Sequence, residues 1–76
     1  MADWQGSDTV EGNGYFWENA EEGISAFQDT SEGHSQWYAW EGTPDDHDDA
    51  GHSHTMPTLN EAVANLKAII NGDIEP

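Results

Sequence analysis

The sequence predicts an α+β domain: a small antiparallel sheet of about three strands packed against one C-terminal helix. Three observations lead there. The aromatic runs Tyr15-Phe16-Trp17 and Trp37-Tyr38-Ala39-Trp40 are short and bounded by glycine and polar residues, as strands are. The strand-like segments all precede the one clear helical pattern, which is the order of an α+β chain. At 76 residues the chain can build one small core and no more.

Residues 1–8 show no period and are expected to form a flexible N-terminal arm, with Trp4 its one docking side chain; a single domain then spans 9–76. The Thr9–Ala20 stretch reads as the first strand, entered through a Gly12-Asn13-Gly14 turn. Gly23–Asp29 reads as the second and Gln36–Glu41 as the third. The polar segment 30–35, containing Gly33, links those two as an antiparallel hairpin. Alternation puts Tyr38 and Trp40 on one face of the third strand and Trp37 and Ala39 on the other. One face is expected to meet the helix, leaving the other for a partner or a second copy of the chain.

Residues 42–57 hold Pro44, Gly51, Pro57 and a run of Asp and His, so a long acidic surface loop is expected there. Thr58-Leu59-Asn60-Glu61 then has the form of a capping box. Leu59, Ala62, Val63, Leu66, Ile69 and Ile70 follow as one apolar stripe, and Gly72 terminates the helix predicted over 58–71. The stripe reads as core; Ile74, beyond Gly72, is open to either core or partner contact.

Charge is the strongest pointer to function. Sixteen acids oppose a single base, Lys67, for a net charge of −15. Duplex DNA carries one charge per roughly 1.7 Å of axis, so fifteen charges match about 25 Å of duplex. A compact chain of this length has a radius of gyration of roughly 11 Å, which is a comparable size. Direct nucleic-acid binding and association with anionic lipid are therefore excluded on electrostatic grounds. The apolar runs are too short for a membrane-spanning helix, and a cytoplasmic protein is expected. Without cysteine there is no disulfide or thiolate chemistry.

Thirteen of the sixteen acids fall within residues 1–50, and between 51 and 72 only Glu61 appears, balanced by Lys67. Acidity acquired for solubility alone, as in a small structural or regulatory protein of a halophilic host, would extend over the exposed helix face, which instead reads Asn60, Ala64, Asn65, Lys67, Ala68 and Asn71. A directed acidic surface is the preferred reading, with the halophilic protein as the alternative. Its expected residues are Glu41, Asp45, Asp46, Asp48 and Asp49, then Glu18, Glu21, Glu22, Asp29 and Glu32, with Trp37 and Trp40 as exposed aromatic anchors. Carboxylates so placed stand in for phosphates against a basic groove and gain fast, steered association.

In acidity and size the chain resembles the small phage-encoded DNA mimics, among them anti-CRISPR proteins, restriction inhibitors and glycosylase inhibitors. That resemblance rests on charge pattern rather than motif. It implies a non-enzymatic inhibitor in the host cytoplasm that blocks the nucleic-acid-binding surface of a CRISPR effector or another DNA-processing protein. The segment Thr58-Leu59-Asn60-Glu61-Ala62-Val63-Ala64-Asn65-Leu66, after a strand pair, is similar to the closing strand and helix of HicB-type antitoxin domains.

Other chemistry is weaker. His47, His52 and His54 in the Asp45–His54 run carry the imidazoles that a zinc, nickel or copper site needs, but their spacing fits no recognised site. The aspartates lack the alternating ligands, central glycine and closing glutamate of a calcium loop. No metal or other cofactor is expected. Ser25, Ser31, Ser35 and Ser53 sit in no nucleophile motif, and the core is too small for a cleft that retunes an acid–base pair, so no enzymatic activity is expected.

Overall fold

Among the described residues four strands, against the expected three or so, form an antiparallel meander in the order β1-β2-β3-β4: β1 is Gln5–Val10, β2 Gly14–Asn19, β3 Ile24–Asp29 and β4 Gln36–Glu41. The computed structural model describes residues 4–10, 14–33, 35–46 and 51–75, including side chains except at residues 7–10 and 32. β1 takes residues 5–8, which the sequence assigned to a loose arm. Its sequence, QGSDTV, has no hydrophobic alternation; pairing with β2 makes it a strand, through Gln5↔Glu18, Gly6↔Trp17, Thr9↔Tyr15 and Val10↔Gly14. The step from Gly6 to Thr9 spans one residue more than Trp17 to Tyr15, a β-bulge. Of the predicted Gly12-Asn13-Gly14 turn, Gly14 opens β2 and the rest lies outside the described residues.

Helix α1 is Leu59–Ile70, with Thr58 as N-cap and Asn71 as C-cap. Thr58 is extended, and its hydroxyl accepts a hydrogen bond from the Glu61 N–H at 3.2 Å. Glu61 makes no return bond among the described contacts, so only the threonine half of the box forms. At the other end Gly72, at φ +81°, lets the Gly72 N–H reach Ile69 O at 3.1 Å and the Asp73 N–H reach Ala68 O at 2.9 Å. That is a Schellman termination, which needs a left-handed residue where the glycine stands. Thr58→Ala should cost about 1 kcal/mol, seen as a lower thermal midpoint with unchanged helical content below it.

The helix lies over β4 and buries Leu59, Ala62 and Leu66 against Ile24, Ala26, Trp37 and Ala39. Ala26, Ala39 and Ala62 are fully buried; their small side chains allow close approach of helix and sheet, while Trp4, Trp17, Met56 and Val63 pack around the cluster. Ile70, predicted as core, is half exposed: the stripe is wider than the surface it covers.

The described parts of the expected loop 42–57, residues 42–46 and 51–57, are more structured than composition suggests. Pro44–Asp46 forms a 3-10 turn, and residues 52–56 run along the outer edge of β4. Trp37 and Met56 exchange backbone hydrogen bonds at 2.7 Å, and the Ser53 N–H donates to Ala39 O at 2.7 Å. The buried Ser53 hydroxyl accepts from the Ala39 N–H at 2.9 Å, replacing a missing ladder carbonyl. An edge that would otherwise expose unpaired backbone is thereby covered.

On the sheet face away from the helix, Phe16, Phe27, Tyr38 and Trp40 make a second cluster of tilted and edge-on rings with centroids 5.2 to 6.1 Å apart. The radius of gyration is 11.6 Å and the principal extents are 34 × 26 × 25 Å. The longest dimension is of the order of the DNA length whose charge the chain matches. Among the described residues no helix is long and apolar enough to cross a membrane.

Candidate functional site

Strand register decides which acids meet. Asn19 pairs with Ile24, and Ile24 with Glu41, so the β2–β3 turn and the exit of β4 share one end of the sheet. The Gly42 N–H donates to Gly23 O at 2.7 Å, and the Ser25 hydroxyl donates to Gly42 O at 2.8 Å, fastening those segments together. Glu18 enters this end on β2, Glu21 and Glu22 lie in the turn, Glu41 closes β4, and Asp45 and Asp46 follow in the 3-10 turn. Six carboxylates from two segments well separated in sequence, 18–22 and 41–46, are thus collected at one end.

The helix adds to that end. Lys67 Nζ contacts Glu22 Oε1 at 3.3 Å, which places the C-terminal turn of α1 beside the β2–β3 turn. The C-terminal end of a helix carries negative partial charge, and Asp73 and Glu75 follow it. Lys67 offsets one carboxylate of the group.

The six have different local duties. Asp46 Oδ2 accepts from the Thr43 N–H at 2.9 Å and the Thr43 hydroxyl at 3.3 Å, closing its own turn. Glu22 accepts from Lys67 and, at 3.5 Å, from Asn19 Nδ2. Glu21, Glu41 and Asp45 are exposed and hold no hydrogen bond or ion pair among the described residues. Glu18 is half-buried. Gly42 sits beneath this turn at φ +119°, and a β-carbon there would collide with the Asp46 carboxylate. Gly42→Ala should therefore cost about 1–3 kcal/mol and loosen the 43–46 turn, read as a lower melting temperature with amide shifts confined to that turn and its contacts.

Other expected site residues are placed differently. Asp29 and Glu32 belong to the opposite end, about 17 Å away along the strands. The Asp29 carboxylate accepts from the Ser31 N–H at 2.9 Å and the Ser31 hydroxyl at 2.7 Å, shaping the β3–β4 connection. Asp48, Asp49 and His47 lie outside the described residues.

Trp37 and Trp40 are not the exposed anchors expected of them. Trp37 is 8 % exposed under the helix, and Trp40 is 0 % exposed on the other face. Trp40 Nε1–H donates to Thr43 O at 2.9 Å, and the 3-10 turn crosses toward β2 above it. A tryptophan expected to reach a partner instead holds the acidic turn in place.

His52 and His54 are engaged with backbone: His52 Nδ1–H donates to Ser53 O at 2.8 Å and His54 Nε2–H to Glu75 O at 3.1 Å. Among the described residues no three histidine or acidic side chains converge as metal ligands.

The chain matches no protein-family model, no curated protein and no solved structure.

Proposed function

We propose that the chain is a non-enzymatic inhibitor whose acidic end occupies the basic nucleic-acid-binding surface of a CRISPR effector or another DNA-processing protein, in the manner of the small phage-encoded DNA mimics. It acts in the cytoplasm of the cell that holds its target. The observation carrying this reading is the convergence of Glu18, Glu21, Glu22, Glu41, Asp45 and Asp46 at one end of the sheet, from segments well separated in sequence. The helix surface adds support, since its exposed residues include one acid, Glu61, and one base, Lys67.

The physical logic is exchange of counterions. Lys and Arg that neutralise phosphates release the counterions held on the nucleic acid, and a densely acidic folded surface entering the same groove gains from release of its own counterions. The local field also speeds encounter and rejects acidic competitors.

The protein, immobilised, should retain a DNA-binding protein from a bacterial lysate, released by rising salt and by short duplex DNA. Retention of nothing, or only of proteins that duplex DNA fails to release, would count against the reading.

A further inference from the structure

With Trp37 and Trp40 buried, an interface at the acidic end needs its apolar contact from elsewhere. Three large hydrophobic side chains are exposed among the described residues: Tyr15, Ile70 and Ile74. Tyr15 pairs with Gln28 near the far end of the sheet. Ile70 is 50 % exposed and Ile74 41 %, four residues apart across the end of α1. Ile70 is one helical turn from Lys67, and therefore adjoins the Lys67–Glu22 bridge.

The turn carrying the two isoleucines is fixed. Its Schellman bonds close the helix, and the His54 ring holds Glu75 O from the other side. Asp73 and Glu75 flank Ile74 in sequence, and Glu22 bridges to Lys67 one helical turn before Ile70. Two exposed isoleucines at a held helix end, with carboxylates beside them in sequence and across the Lys67–Glu22 bridge, complement an apolar side chain framed by lysine or arginine. A second copy would bring another −15 to the contact, and an anionic lipid surface would be repelled in the same way.

We infer that Ile70 and Ile74 form the apolar centre of the partner contact, and that its occupant is a basic protein surface presenting an apolar side chain among its Lys and Arg residues. This rests on the proposed function and deepens it. The carboxylates steer, and their contribution falls with salt; burial of the isoleucines contributes a term that salt does not screen.

Two short peptides of equal length and charge, one alternating arginine with leucine and one alternating arginine with serine, separate these contributions. Each is titrated into the labelled full chain and followed by NMR at about 0.15 M salt. The leucine peptide should bind roughly tenfold more tightly, moving the Ile70 and Ile74 methyls together with the Glu21 and Glu22 amides. Ile70→Ser/Ile74→Ser should abolish that advantage while leaving the serine peptide's affinity and salt dependence intact. Equal affinity of the two peptides, or shifts centred on Phe27 or Tyr15 instead, would overturn the assignment and leave the basic-partner reading standing. Failure of both peptides to bind even at low salt would remove both. Should the double variant fail to fold, the methyl map of the parent chain still decides.

Discussion

Trp40→Ala is expected to lower the thermal midpoint by roughly 15–30 °C, enough to leave the chain largely unfolded at physiological temperature. Removing a fully buried tryptophan costs about 3–5 kcal/mol, and a domain of this length holds about 4–11 kcal/mol in total. Trp40 is 0 % exposed, meets Phe16 and Tyr38, and donates to Thr43 O. Trp40→Phe keeps most of the ring packing and loses the donor. It should cost far less and report mainly as loosening of the 43–46 turn. Differential scanning calorimetry ranks the two variants; a Trp40→Ala protein that melts near the parent would refute the packing described for that face.

The second large effect concerns binding. Neutralising Glu21, Glu41 and Asp45 together, as Glu21→Gln/Glu41→Gln/Asp45→Asn, should weaken the partner complex roughly tenfold at low salt. The log–log salt dependence should flatten by about two to three charges' worth. These positions are chosen because they hold no bonds within the described structure, so the fold is untouched and charge is the only variable. Self-repulsion falls at the same time, and the melting temperature should hold or rise. Titration calorimetry at two salt concentrations reads both quantities. Unchanged affinity with an unchanged slope would assign the contact to an uncharged surface.

These expectations depend on features that were unequally visible in the sequence. The helix was legible almost to the residue, because a threonine cap, an apolar stripe and a terminating glycine all mark the same segment. β2 and β4 followed from short aromatic runs. β1 did not, since nothing in QGSDTV favours a strand until β2 offers it hydrogen bonds and the Trp17 ring lies over Gly6. Alternation sorted Trp37 from Trp40 correctly, but periodicity says only that two faces exist. It cannot reveal that a 3-10 turn folds back over one of them. The edge segment 52–56 was hidden for a similar reason: its pairing uses a serine hydroxyl where a regular strand would use backbone.

The acidic end was half visible. The linear excess in residues 1–50 was plain, yet Glu21, Glu41 and Asp45 become neighbours only through strand register and the Gly42–Gly23 hydrogen bond. By the same register Asp29 and Glu32 fall at the far end, though in sequence they look as suitable as the rest. Ile70 was assigned to the core because a helical stripe predicts burial, and the stripe runs past the sheet that it covers; Ile74, beyond Gly72, was open to either role.

The central claim is that this acidic end and nucleic acid compete for one basic surface. The most direct measurement follows fluorescently labelled short duplex DNA bound to the captured partner while the chain is titrated in. The account predicts complete displacement, with a midpoint that rises in proportion to the DNA present and moves to higher protein concentration for Glu21→Gln/Glu41→Gln/Asp45→Asn. A ternary complex that keeps the DNA bound, or displacement indifferent to that triple change, would contradict it.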